Sequence, residues 1–250
     1  MMFREMPCTK VEGDSFRQST HEVIEEVPLT LIVNGRNILT AMTSPGMAEE
    51  FATGYLYTER IIHSIDEIES LIVEENRVSV LTKNPFKILV SKKTVLSGCG
   101  GTSSFLDPKI LPNIESDLTV DTETIRNAMK ETLRSDLHDM TGGIHITGLF
   151  TPSEKILVTE DIGRHNALDR LIGYGLRNGV DLSGTFVTCS GRISSEMVRK
   201  CLTANIPVIA SRGATTTMAI NMAETAGLTV VGFVRNKKMN IYSGTDRIRP

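Results

Sequence analysis

At 250 residues the chain can hold one large domain or two modest ones, with a sizeable buried core. Its formal net charge is −3 and no long run of one sign occurs, which argues against general attraction to nucleic acid or an anionic membrane and makes any basic site a local one. Nowhere do eighteen apolar residues follow one another, and the opening MMFREMPCTKVEGD has no apolar segment of signal-peptide length, so a cytoplasmic protein is expected.

Residues 1–20 are polar without apolar periodicity and read as a mobile arm, with structure beginning at Glu22. In EVIEEVPLTLIVNGRNILTAMTSP two β-branched runs flank Asn34-Gly35, a strong hairpin signal. After Pro45 a helix is predicted, with Met47, Phe51, Tyr55, Leu56 and Ile61 on one stripe. IESLIVEENRVSVLT reads as a strand pair turning at Glu74 to Arg77, and KILVSKKTVLSG leads into a glycine-rich run. Residues 21–118 are therefore expected to form a smaller α+β domain. From about Thr119 the pattern changes to an α/β domain over 119–250. Asp121 to Leu137 is predicted as one helix capped by Thr or Asp, and strands are expected at Gly143–Phe150, Lys155–Thr159, Thr185–Thr188, Pro207–Ala210 and Leu228–Val234. Amphipathic helices at His165–Gly175, Ser194–Ala204 and Thr215–Ala226 complete an alternation that predicts a largely parallel sheet. Gly173-Tyr174-Gly175 reads as a helix end rather than a dinucleotide fingerprint.

Cys99 stands in SGCGGTSS, with glycines at 98, 100 and 101. These glycines let the backbone turn sharply, so that its N–H groups converge on the sulfur and favour a thiolate. The plainer alternative is a small buried hydrophobe beside a tight turn. The other cysteines, at 8, 189 and 201, are too sparse and irregular for a disulfide scaffold.

In open α/β sheets ligands collect beyond the carboxyl ends of the strands. The loops expected there are Glu160 to His165, Ser190-Gly191-Arg192, Ser211-Arg212-Gly213 and Arg235-Asn236-Lys237-Lys238. Each joins a cation to glycine or small polar residues, and three would precede helix N-termini, which together point to a site for a large, multiply phosphorylated anion. Arg192 and His165 belong to this candidate site. His165 on its own evidence is a general base, a phosphate donor or a capping side chain. His145 reads as a core histidine, and Glu160 and Asp161 either pair with arginines or meet ligand hydroxyls and amines. No C-x-x-C, H-E-x-x-H or Walker-type motif occurs.

EVPLTLIVNG, SPGMAEEFATGYLYTERII, SGCGG, TGGIHITG, VTEDIGRHNALDRLIG and the stretch from GRISSEMVRK through SRGATTTMA to VGFVRNKKMNIY together resemble the formate dehydrogenase accessory sulfurtransferase family, FdhD/NarQ type. The resemblance implies a cytoplasmic, homodimeric sulfur carrier, and the charge balance above adds the expectation of no nucleic-acid or membrane partner. Such a protein accepts sulfur as a persulfide from a cysteine desulfurase and passes it to the bis-molybdopterin guanine dinucleotide cofactor before insertion into formate dehydrogenase. It further implies a C-terminal three-layer α/β/α domain of cytidine-deaminase-like fold, here without that fold's zinc signature. By position, Cys99 becomes the persulfide carrier, and Phe233, Val234, Arg235, Asn236, Lys237 and Lys238 the cofactor-binding segment. Many relatives show C-G-x-C where this chain has Thr102, so the chemistry must run on one thiol. A non-catalytic protein that binds and delivers the cofactor is the alternative, and a thiol hydrolase pairing Cys99 with His145 or His165 is weaker.

Overall fold

The computed structural model describes residues 2–84, 94–95, 102–103 and 111–250, and in it the polar N-terminal stretch is not an unstructured arm. Strands β1 (Phe3–Glu12) and β2 (Ser15–Ile24) form an antiparallel hairpin, in register from Phe3 opposite Ile24 to Glu12 opposite Ser15. Polar residues occupy both of its faces, so no apolar alternation marks it in the sequence. Only its base is packed, where Phe3 and Ile24 meet a small cluster around Leu137, Ile144 and Ile146.

The next hairpin follows the predicted signal. β3 (Val27–Val33) and β4 (Arg36–Thr43) are joined at Asn34 and Gly35, whose φ values of 48° and 77° suit the primed turns that close two-residue hairpins. Helix α1 (Ala48–Thr58) buries Phe51, Tyr55 and Leu56 on the four-stranded sheet β4-β3-β6-β5, completed by β5 (Ile68–Glu74) and β6 (Arg77–Thr82). Of the expected stripe, Met47 is the N-cap residue, and Ile61 lies past the helix end but still packs on this core. A short antiparallel pair, β7 (Thr94–Val95) and β8 (Thr102–Ser103), follows.

The second half begins with β9 (Val120–Asp121) and α2 (Thr122–Thr132), where the Asp121 carboxylate accepts the Thr124 N–H. The helix expected to reach Leu137 breaks after this point. Ser135 caps a separate short helix, α3 (Asp136–Thr141), by accepting the His138 N–H, so the chain turns between two capped helices. There follow β10 (His145–Phe150), β11 (Lys155–Asp161), α4 (Arg164–Arg177), β12 (Phe186–Cys189), α5 (Ser195–Thr203), β13 (Val208–Ser211), α6 (Thr217–Ala226), β14 (Thr229–Arg235), β15 (Lys238–Ser243) and β16 (Ile248–Arg249). Strand β16 pairs with β9, and β10 to β15 form one six-stranded sheet of order β11-β10-β12-β13-β14-β15.

That sheet is mixed rather than largely parallel. Only β12 with β13 and β13 with β14 run parallel, while β10 is antiparallel to both its neighbours and β15 returns antiparallel to β14. The tight returns after β10 and β14 account for this, since parallel neighbours need a long crossover. Because β11 and β12 are each antiparallel to β10, strands β11, β12, β13 and β14 all point the same way. Helices α4, α5 and α6 cover one face through Leu168, Leu171, Val198 and Ala223, while α2 covers the other through Ile125 and Met129.

The two halves meet where α1 crosses α4. A Cβ on Gly54 would stand 1.8 Å from the Asp169 carbonyl oxygen, and one on Gly173 would stand 1.8 Å from that of Glu50. Gly173 therefore does not end its helix, which continues to Arg177; it is glycine because another backbone lies against it. Among the described residues no helix is long and apolar enough to cross a membrane.

Candidate functional site

The common direction of β11 to β14 brings Asp161, Cys189, Ser211 and Arg235 to one edge of the sheet, and the loops that follow touch in order. His165 Nε2 lies 3.2 Å from Ser194 Oγ, linking the first loop to the second. The Ser211 hydroxyl donates to the Gly191 carbonyl at 2.6 Å, linking the second to the third. Phe233 N–H donates to the Gly213 carbonyl at 2.9 Å and Arg235 Nε–H to that of Arg212 at 3.2 Å, joining the third to the fourth. The result is a continuous rim on which Arg192, Arg212, Arg235, Lys237 and Lys238 are exposed.

One end of the rim opens into a cavity of about 260 Å³ facing α2. Val234, Arg235 and Asn236 line it together with Arg212, and the opposite wall presents Arg126 and Lys130. Those two are four residues apart and so share one face of α2. They are the site residues that the strand-end reading missed; the signal available was a basic pair one helical turn apart. No carboxylate lines this cavity, and among the described residues none of Arg126, Lys130, Arg212 and Arg235 pairs with one. Asn236 and Lys237 form a hairpin turn between β14 and β15, not a loop leading into a helix, and Lys238 opens a strand that the sequence reading lacked. A bulge between Gly232 and Arg235 re-aims this strand: Phe233 takes a φ of 53° and points outward, 37 % exposed, with the Arg235 guanidinium 5.8 Å from its ring centre. Val234 turns inward onto the core.

His165 and Arg192 are not part of that cavity. Arg192 stands on the rim between the two ends, and His165 lines a second cavity of about 410 Å³ between β4, α1 and the starts of α4 and α5. Its walls are apolar, from Leu39, Ala41, Phe51 and Tyr55, and its floor is polar, from His165, Glu196, Asp169 and Lys200. His165 Nε2 stands 3.4 Å from Glu196 Oε2. Burial, then the nearby charges of Arg164, Lys200 and Arg199, push its pKa down to about 3, so the ring is neutral near pH 7 and does not present a cation to phosphate. Burial raises the Glu196 pKa, against Lys200 and Arg199, which lower it. Lys200 Nζ donates to both Asp169 carboxylate oxygens at 2.8 Å and to Thr58 Oγ1 at 3.0 Å, with Glu59 3.8 Å away.

Of the two acids before α4, Asp161 is a brace. Fully buried, it pairs with Arg170 at 2.7 Å and accepts N–H groups from Ser44 at 3.0 Å and Gly163 at 2.7 Å, tying the first half of the chain to the second. His145 sits at the amino end of β10 on the rim rather than in the core, half-buried beside Gly191, where a Cβ would come within 2.9 Å of its Nδ1. Burial and Arg164 lower its pKa.

Cys189 and Cys201 are buried, and burial pushes the Cys189 thiol up to about 12 and the Cys201 thiol higher than its ordinary value, so neither supplies a thiolate. Cys8 is a free, partly exposed thiol on β1. Cys99 and the glycines around it lie outside the described residues.

The family model described as FdhD/NarQ matches residues 24–249. A protein named sulfur carrier protein FdhD from Geobacillus kaustophilus is 34% identical over 97% of this chain and 95% of its own length. One of the same name from Saccharolobus solfataricus is 36% identical over 95% and 94%. Among solved structures, a candidate formate dehydrogenase accessory protein from Desulfotalea psychrophila superposes with a TM-score of 0.84 at 25% identity, covering 100% of both chains.

Proposed function

This chain belongs to the FdhD/NarQ family, and from that premise we propose that it is a sulfur carrier serving formate dehydrogenase, holding sulfur on Cys99 and delivering it to bis-molybdopterin guanine dinucleotide bound along the cationic rim. The observation that carries the reading is the cavity walled by Arg126, Lys130, Arg212 and Arg235 with no carboxylate among its lining. Four cations that pair with no acid among the described residues, around about 260 Å³, suit phosphate groups. The exposed Lys237, Lys238 and Arg192 extend that attraction along the sheet edge.

In the loading step the Cys99 thiolate attacks the outer sulfur of a cysteine desulfurase persulfide. The donor's S–S bond breaks, the donor leaves as a thiolate, and Cys99 carries the persulfide. One thiol suffices, so Thr102 at the position of a second cysteine does not block the step. Cys189 and Cys201 do not compete, being buried and protonated. The strand order β11-β10-β12-β13-β14, with helices after β11, β12 and β13, supports a cytidine-deaminase-like reading of this half. We place the working protein in the cytoplasm as a homodimer, where its desulfurase and client are met.

Mass spectrometry of the intact protein after incubation with a cysteine desulfurase and cysteine tests the carrier step. A reducible gain of one sulfur atom mapped to Cys99, absent in Cys99→Ala, is expected. No gain, with GDP binding intact, would replace this mechanism with delivery of the cofactor by a non-catalytic binding protein.

A further inference from the structure

The N-terminal hairpin is the least covered element of the fold. Its strands, ten residues each, form a sheet of their own, and every residue from Thr9 to Gln18 is exposed. Val11 and Phe16, opposite one another near the turn, are 55% and 74% exposed. A two-stranded ribbon with both faces in water is marginal, and further strands are what make such a ribbon stable. Its two outer edges are not equivalent. On β1 stands Pro7, which has no N–H to offer another strand. No proline interrupts β2. The turn at Gly13, with a φ of 59°, and Asp14 is closed by Glu12 opposite Ser15. In an antiparallel ladder such a hydrogen-bonded pair alternates with pairs whose N–H and C=O groups point outward. Counted from the closing pair, Phe16, Gln18, Thr20, Glu22 and Ile24 aim these groups at the outer edge of β2, where no strand lies beside them. The same count puts Pro7, opposite Thr20, where its nitrogen faces outward and costs the hairpin no bond.

We propose that β2 is the contact between two copies of this chain, pairing antiparallel with the partner's β2 about a two-fold axis at Thr20, so that two marginal ribbons become one four-stranded sheet. The inference rests on the homodimer reading above and names the surface that makes it. A strand paired antiparallel with its own copy is self-complementary, as a two-fold contact must be. In this register Phe16 stands opposite the partner's Ile24, apolar against apolar. Gln18 stands opposite the partner's Glu22, an amide donor against a carboxylate, and Arg17 opposite the partner's Val23. No like charges are opposed, which the cross-strand pairs of a stable sheet require. An unrelated chain would have to match this pattern; β2 already matches itself. Pro7 blocks the other edge and so stops the sheet from growing beyond two copies.

Sedimentation equilibrium on the full chain and on Thr20→Pro tests this. The substitution does to β2 what Pro7 does to β1, removing an outward N–H while leaving the hairpin's own ladder intact. The wild type is expected to sediment at twice the chain mass. Thr20→Pro is expected to raise the dimer dissociation constant about tenfold or more, since the two-fold axis doubles each lost hydrogen bond. A second variant needs no change of backbone. Thr20→Cys sets two thiols on the axis with Cα atoms about 5.5 Å apart, within disulfide range. Oxidation should give a covalent dimer mapped to that position, and Asp14→Cys at the turn should give none. A Thr20→Pro dimer as tight as the wild type overturns the inference and leaves the homodimer reading standing. If Thr20→Pro misfolds, the cross-link decides, and a dimeric Thr20→Cys that forms no bond at that position overturns the inference equally. A monomeric wild type overturns the homodimer reading and this inference together.

Discussion

The two cavities stand at opposite ends of one sheet edge and draw on the same residue types, yet they spend them differently. Around the larger one, Lys200 is consumed by Asp169, Arg170 by Asp161 and Arg199 by Glu59, all with both partners nearly or fully buried. Around the smaller one, Arg126, Lys130, Arg212 and Arg235 meet no carboxylate among the described residues. Counting cations near strand ends therefore does not locate an anion site. What decides is whether an acid has already claimed each one. The paired set holds two halves of a fold together, and the unpaired set is left over for a ligand.

The contrast is broken most forcefully at Lys200. Replacing it with methionine strands the Asp169 carboxylate in the interior, and the expected loss is about 3–5 kcal/mol, the cost of removing one partner of a buried ion pair. Chemical denaturation of the variant measures it. Lys130→Ala at the other cavity is expected to change stability by less than about 0.5 kcal/mol, as exposed positions do; comparable losses at the two positions would erase the distinction. Next in size is Gly173→Ala, whose new methyl would stand 1.8 Å from the Glu50 carbonyl oxygen. Overpacking of this kind costs about 1–3 kcal/mol, and the melting temperature should fall. A neutral outcome would mean that the helix crossing is not set by backbone contact.

The ligand side of the comparison is sharpened by Arg212→Ala and Arg235→Ala. Each is expected to weaken GDP binding about tenfold, one charge-assisted hydrogen bond's worth, with folding unchanged; equilibrium binding at two salt concentrations checks both the loss and its electrostatic origin. Smaller than the Lys200 and Gly173 losses is the one expected at Asp121, the cap of the helix that carries Arg126 and Lys130. Asp121→Ala should cost about 1 kcal/mol. Hydrogen bonds from Thr124 hold the Asp121 pKa below its ordinary value. Its contribution is therefore present above the ordinary carboxylate range and lost as pH falls through the lowered value. A pH series of denaturation midpoints for wild type and variant should converge at the acid end.

Much of this was legible in the sequence wherever a local signal decided the outcome. Asn34-Gly35 announced its hairpin, the α1 stripe of Phe51, Tyr55 and Leu56 announced its buried face, and the four strand-end loops were read with the correct edge in common. The failures share a physical cause: the deciding partner lay far along the chain. Gly173 looked like a helix terminator because nothing in its own neighbourhood shows that α1 passes against it. For Asp161 the reading left arginine pairing and ligand contact both open, and the structure takes the pairing, with Ser44 and Arg170 on two other segments. Arg126 and Lys130 carried no strand-end signature at all and became part of a site only when α2 packed beside the β14–β15 turn. The N-terminal hairpin escaped notice for the opposite reason, since with polar residues on both faces its cross-strand register leaves no imprint on hydrophobic periodicity.

The crossing at Gly54 and Gly173 has a consequence for how the molecule comes apart. Helices in backbone contact have no side-chain layer between them to loosen first, so α1 and α4 must separate completely or not at all. Amide hydrogens of the two helices, more than a hundred residues apart in sequence, should then exchange with solvent at a common free energy of opening. The sheet that α1 covers and the sheet that α4 covers should then open together, and calorimetry should record a single unfolding transition.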